Sequence, residues 1–320
     1  MTDLTFGMFM PQGWKMELAS ISGAAAKWNR AVEIAELAEN LGYDSLWLYD
    51  HFHNVPRPAN EAVFEMWTAI AAVSQRTSRI RLGQMVGCNS YRSPAVLAKI
   101  TSTIDVISGG RLDWGIGAGW YEQEYLGYGL DFPSAKVRID MLRESVEIVK
   151  SMWSEPETNY DGTYYQLVRA HCDPKPLQQP HPPILIGGSG EQLTLRVVAQ
   201  HADCSNWGGK PDEWARKREV LKGHCRAVGR DEDEIRKTWA PEVLIRETEA
   251  EVLAIGSRSL TGEAFESWRE GNLIGTPDQV SEKIAAYVAH GCGGVIPWCA
   301  DYPETTTMEL FAAQVIPNFR

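Results

Sequence analysis

The residues of this chain that could do chemistry gather in four short segments, each just past a run of apolar residues. The first is Tyr49-Asp50-His51-Phe52-His53. A histidine exchanges protons near neutral pH, and an adjacent carboxylate can orient or tune it, so Asp50 and His51 are candidates for proton transfer. The bland alternative is an aspartate that caps the next segment beside an ordinary polar loop residue. His51 and His53 form a pair without a third ligand, so no metal is expected. The second segment is Met85-Val86-Gly87-Cys88-Asn89-Ser90. Gly87 permits a bulge that could press against a flat ring; otherwise the segment is a plain strand-to-helix turn.

The third segment is Gly117-Ala118-Gly119-Trp120-Tyr121-Glu122. Its small residues let a ligand approach the backbone, Trp120 and Tyr121 offer flat amphipathic surfaces, and Glu122 is a possible acid. Alternatively the glycines serve helix–strand packing and Glu122 is a solvated carboxylate at a helix start. The fourth is Gly187-Gly188-Ser189-Gly190, running from a strand into a helix. Free amides and the helix dipole make such a junction a phosphate site, and a serine hydroxyl adds a donor. No lysine follows it, so it is not a Walker-type loop, and no G-x-S-x-G elbow for a nucleophilic serine is present.

Elements that could bring these segments together are legible as short apolar runs alternating with helical patterns, the rhythm of βα units. Strands are expected over residues 4–10, 45–49, 79–85, 112–116, 184–186, 203–206, 238–245 and 294–298. Helices are expected over 28–41, 65–74, 94–107, 135–153, 191–201, 211–228 and 276–290. The stretch 154–183 breaks the rhythm with a hairpin-like 159–165 and six prolines, and reads as an insertion packed beside the rest. Eight units predict an α/β fold: a (β/α)8 TIM barrel, one domain over 1–320, with the insertion between the fourth and fifth βα units. In a barrel the active site forms where strands end, so all four segments face one mouth. No G-x-G-x-x-G follows the first strand, against a dinucleotide-binding sheet. Loops 11–26, 54–60 and 260–272 shape the pocket but carry no readable code for a substrate.

The formal net charge of −11 argues against nucleic-acid and membrane-surface partners. No run of 18 apolar residues occurs, and residues 1–9 lack the pattern of a signal peptide. The six cysteines form no C-x-x-C pair, as expected of reduced thiols in a cytoplasmic protein.

Taken in order, several segments resemble the bacterial luciferase-like superfamily, and within it the coenzyme F420-dependent oxidoreductases. They are Leu46-Trp47-Leu48-Tyr49-Asp50-His51, Thr77-Ser78-Arg79-Ile80-Arg81-Leu82-Gly83, Tyr91-Arg92-Ser93-Pro94-Ala95-Val96-Leu97-Ala98-Lys99, Ser108-Gly109-Gly110-Arg111-Leu112, Gly115-Ile116-Gly117-Ala118-Gly119-Trp120 and Pro182-Pro183-Ile184-Leu185-Ile186-Gly187-Gly188-Ser189-Gly190. The resemblance implies a homodimer of barrels with the cofactor ring over the mouth. It implies a non-proline cis peptide at Met85-Val86 or Val86-Gly87. Met85, Val86, Gly87, Asn89, Gly117, Ala118, Gly119, Trp120 and Gly187 would contact the cofactor, and Gly188, Ser189 and Gly190 its phosphate. Asp50 and His51 match positions near ring and substrate, with His51 as proton donor or substrate orienter. One departure stands out: F420-dependent alcohol and sugar dehydrogenases carry a glutamate directly after the glycine pair, where this chain has Trp120, and Glu122 is displaced by two residues. That favours reduction of an electron-poor C=C, C=N or aromatic system in a small organic substrate. The alternatives are an FMN-dependent two-component monooxygenase and a barrel that binds without catalysing.

Overall fold

Eight short strands become the staves of a closed parallel barrel in the computed structural model, which describes residues 4–259 and 262–320. The first three residues of the stretch 1–9 and the first two of the loop 260–272 lie outside the described residues. The staves are β1 (Thr5–Phe9), β2 (Ser45–Leu48), β3 (Arg81–Gln84), β4 (Leu112–Gly117), β5 (Ile184–Gly187), β6 (Cys204–Asn206), β7 (Arg236–Trp239) and β8 (Gly294–Val295). Each pairs in parallel with the next, and β8 returns to β1 with Gly294 opposite Thr5. Phe6, Met8, Leu46, Leu48, Ile116 and Ile186 are fully buried. Such staves are covered on both faces, which is why they read as continuous apolar runs rather than alternations.

The outer layer comprises α1 (Ala24–Asn40), α2 (Met66–Ser74), α3 (Pro94–Ile107), α4 (Glu122–Gly127), α5 (Ala135–Ser154), α6 (Thr194–His201), α7 (Pro211–Val228), α8 (Glu249–Ile255), α9 (Phe265–Gly271) and α10 (Pro277–Ala289). Three expectations are corrected. The first helix begins at Ala24 rather than residue 28, because three consecutive alanines extend it. The helix expected from residue 191 begins at Thr194, after a turn. The expected strands 238–245 and 294–298 each split at a proline, Pro241 and Pro297. The outer halves, Glu242–Ile245 and Trp298–Cys299, pair in a second three-stranded parallel sheet with Leu273–Gly275, a strand too short to read from sequence.

The stretch 154–183 carries the antiparallel strands Thr158–Asp161 and Gln166–Ala170. Its turn is tied to the barrel by Glu144 of α5, which accepts the amides of Thr163, Tyr164 and Tyr165. Among the described residues no helix is long and apolar enough to cross a membrane.

A second carboxylate of this kind gives a test of the fold. Glu39, near the end of α1, accepts the amides of Ser78, Arg79 and Ile80 at the entry to β3. Burial pushes its carboxyl up, but the three amides and the Ser78 hydroxyl outweigh that and bring it down to about 2. A depressed folded value means stability that is present above the ordinary glutamate range and lost as pH falls toward about 2. Glu39→Gln should therefore flatten the acid limb of a stability–pH curve measured by urea unfolding. An unchanged limb would exclude this contact as its source.

Candidate active site

The floor of the mouth is built where β3 stops. After Gln84 the chain bulges through Met85 and Val86, whose peptide bond is cis, and rejoins β4 at Gly87–Cys88. The Gln84 side chain accepts the Gly115 amide at 3.0 Å, and a Cβ on Gly115 would lie 1.7 Å from the Gln84 carbonyl oxygen. Val86 then wedges between two other glycines. A Cβ on Gly117 would lie 2.6 Å from one Val86 methyl, and a Cβ on Gly187 would lie 2.7 Å from the other. At Gly119, where φ is 78°, a Cβ would meet the Tyr125 hydroxyl at 2.0 Å. The small residues therefore make room for the protein's own side chains, and those side chains form the floor. Above it lies a cavity of about 390 Å³, within the range of about 300–1,000 Å³ usual for cofactor and ligand sites.

His51 stands in the wall of this cavity. Its Nδ1 lies 2.8 Å from Oε2 of Glu124, a carboxylate with no exposed surface. The same oxygen accepts the Tyr91 hydroxyl at 2.6 Å, and Oε1 accepts the amides of Phe52 and His53 at 2.7 and 2.8 Å. Burial pushes the Glu124 carboxyl up, but His51, Tyr91 and the His53 amide prevail and hold it below the usual range. Trp14 lies flat on the imidazole, 4.2 Å away and 4° from parallel, while Trp120 and Tyr121 approach it edge-on. The loop bearing Trp14 is held by Glu17, which accepts the amides of Gln12, Gly13 and Lys15, and by Asn54, which donates to the Gly13 carbonyl.

Asp50 also lines the cavity, but its oxygens are committed. It accepts the Cys88 amide at 2.8 Å and two guanidinium bonds from Arg92 at 2.7 and 3.1 Å. Burial pushes the Asp50 carboxyl up, and Arg92 and the Cys88 amide pull against it. This carboxylate thus ties the end of β2 to the far side of the bulge. Arg92 carries a second partner, Glu65, at the start of α2.

Gly187 and Gly188 also line the cavity, with Thr194, the first residue of α6, against Gly188, and so does Arg138 of α5, whose guanidinium donates to the Gly119 and Pro133 carbonyls. Among the described residues the amides of Ser189 and Gly190 make no hydrogen bond, and α6 begins without a side-chain cap. Free amides at the start of a helix favour an anion.

Of the residues expected from sequence, Asp50, His51, Met85, Val86 and Gly87 line one cavity together with Gly117, Ala118, Gly119, Trp120, Gly187 and Gly188. Ser189 and Gly190 are exposed just beyond it. Asn89 is buried behind the floor, where it donates to the Tyr165 hydroxyl. Glu122 is exposed in the first turn of α4, outside the lining; the carboxylate that reaches His51 is Glu124, two residues on. Glu124, Tyr91, Arg92, Trp14 and Arg138 were not expected to take part. The sequence held no clear signal for Glu124: Tyr121, Tyr125 and Tyr128 recur at helical spacing, yet Tyr128 is exposed, so that stripe does not mark the inward face.

A family model described as luciferase-like monooxygenase matches residues 4–262. The chain is 27% identical over 320 residues to an F420-dependent glucose-6-phosphate dehydrogenase of Microbacterium testaceum, covering 91% of this chain and 94% of that one. Two solved structures share the fold. An F420-dependent secondary alcohol dehydrogenase in complex with an F420–acetone adduct superposes with a TM-score of 0.82 at 19% identity, covering 99% of each chain. A monooxygenase from Streptomyces bottropensis superposes with a TM-score of 0.83 at 22% identity, covering 99% of this chain and all of that one.

Proposed function

Because the chain belongs to the luciferase-like monooxygenase family, we propose that it is an oxidoreductase that transfers a hydride between coenzyme F420 and a small organic substrate. The reaction favoured is reduction of an electron-poor C=C, C=N or aromatic system. One observation carries this reading: His51, a proton-exchanging side chain with a free ring nitrogen, lines the cavity packed among Trp14, Trp120 and Tyr121, above a floor of Met85 and Val86. The two carboxylates that could serve an alcohol or sugar substrate are spent, Asp50 on Arg92 and Glu124 on four donors, and Trp120 stands where the dehydrogenases carry a glutamate.

The residues present fit the cofactor. The Val86 wedge offers a flat apolar support, and the unpaired amides of Ser189 and Gly190, with Arg138, suit an anionic phosphate. When bound, F420 supplies the hydride chemistry, two electrons at a time. Met85, Val86 and Ala118 would support its ring, and Trp14, Trp120 and Tyr121 would line the face where substrate enters. His51 delivers the proton that reduction requires. The dehydrogenase of Microbacterium testaceum and the alcohol dehydrogenase structure, both F420-dependent by name, support the choice of cofactor.

Titrating the protein with F420 and separately with FMN, followed by fluorescence, tests the reading. The expected result is saturable F420 binding with no FMN binding. Binding of FMN alone would move the protein to the monooxygenase branch. We further propose a homodimer, supported by the family resemblance, in the cytoplasm, which suits six free cysteines.

A further inference from the structure

Glu124 accepts four hydrogen bonds, two at each oxygen. An ionised carboxylate can only accept, so each of its four partners must donate. Phe52 N, His53 N and the Tyr91 hydroxyl do so without choice of form; His51 has a choice, because a neutral imidazole carries its proton on either nitrogen. Facing Glu124, that proton must sit on Nδ1. The ring is also held in place, with Trp14 flat against it at 4.2 Å and the Trp120 and Tyr121 rings edge-on at 5.8 and 6.0 Å. The remaining nitrogen, Nε2, makes no hydrogen bond among the described residues, and the residue lines the cavity.

We propose that Glu124 is a positioning residue that locks His51 in the Nδ1–H form and so makes Nε2 the atom through which a proton enters or leaves the substrate. The proposal rests on the reading of the mouth as a reduction site. In that reaction a hydride, with its two electrons, forms a bond to one atom of the substrate double bond. The π pair moves to the other atom and takes the proton from Nε2 of protonated His51. His51 is left neutral with its lone pair on Nε2, still donating Nδ1–H to Glu124, and regains its proton from water. The same arrangement, a carboxylate fixing the tautomer of a proton-exchanging histidine, operates in hydrolytic triads.

Glu124→Gln gives a sharp test, because two backbone amides dictate how the new side chain sits. Phe52 N and His53 N require an acceptor, so the amide oxygen stays on their side and the NH2 group faces His51. A donor there forces neutral His51 into the Nε2–H form. The measurement is ¹⁵N NMR of the full chain labelled at histidine, with His51 assigned by its loss in His51→Gln and read at a pH where the imidazole is neutral. The expected wild-type spectrum has protonated Nδ1 and bare Nε2; the variant inverts them, and Glu124→Asp retains the wild-type form. Oxidation of reduced F420 by cyclohex-2-enone as probe should fall about 10²-fold or more in Glu124→Gln, with the Kd for F420 unchanged and partial recovery in Glu124→Asp. A wild-type Nε2–H tautomer, or an inverted tautomer with an unchanged rate, overturns the proposal. If Glu124→Gln does not fold, the wild-type and Glu124→Asp spectra still decide the tautomer. Failure of the wild-type protein to bind F420 would instead strike the proposed function and leave the tautomer result standing.

Discussion

Replacing His51 by asparagine should lower the rate of F420-linked reduction about 10²- to 10⁴-fold, the usual loss when a positioned proton donor is removed. The asparagine amide can still donate toward Glu124, so the buried carboxylate keeps a partner and the fold should persist. The contacts proposed for the cofactor lie elsewhere, on the bulge and on the glycine loop, so the F420 Kd should stay within a small factor. Stopped-flow absorbance with an enone acceptor measures the hydride step directly. A variant that turns over at the wild-type rate would remove His51 from the proton route and leave the mouth with no assigned donor.

Arg92→Met should be the most destabilising single change near the site. Arg92 supplies two of the three hydrogen bonds to Asp50, whose side chain has no exposed surface. Removing one partner of a buried ion pair costs about 3–5 kcal/mol, because the other charge is left uncompensated. The loss has a pH signature. Burial already pushes the Asp50 carboxyl up, and without the guanidinium nothing but the Cys88 amide opposes it. A carboxyl whose folded value is raised gives stability that is intact below the ordinary aspartate value of about 3.9 and is lost as pH rises through the folded value. Urea unfolding should therefore find Arg92→Met closer to wild type at pH 5 than at pH 8. Asp50→Asn combined with Arg92→Met removes the stranded charge and should recover much of the loss. Equal destabilisation of single and double variants at both pH values would show that Asp50 is not the source.

The barrel was legible because its staves are buried on both faces, so that segments such as Leu46-Trp47-Leu48 and Ile184-Leu185-Ile186 stand out as apolar blocks between helical patterns. Extension beyond a stave was not legible. Residues 238–245 look like one strand, yet Pro241 lacks the N–H that would continue the ladder, and the chain transfers to a second sheet. The mouth was legible as a set of loops, because glycines and polar residues cluster where strands end. What those residues do to one another was not. Asp50 beside His51 in sequence suggested a pair, but consecutive residues at a strand end diverge. Asp50 turns to Arg92, 42 residues away, and His51 turns to Glu124, 73 residues away. Arg92 comes from the extended turn before α3 and Glu124 from the first turn of α4, and neither meets its partner until the barrel has closed.

The Val86 wedge makes three positions into one. Residues 86, 117 and 187 share a fixed quantity of space, filled by an isopropyl group on one side and by nothing on the other two. Natural variation at this floor should run in compensated sets, a smaller residue at 86 accompanying alanine at 117 or 187, with the total volume held constant. Anyone reshaping the pocket meets the same rule. A library that randomises 117 or 187 alone should return glycine, whereas randomising either together with 86 should admit a side chain where the Val86 methyls now stand.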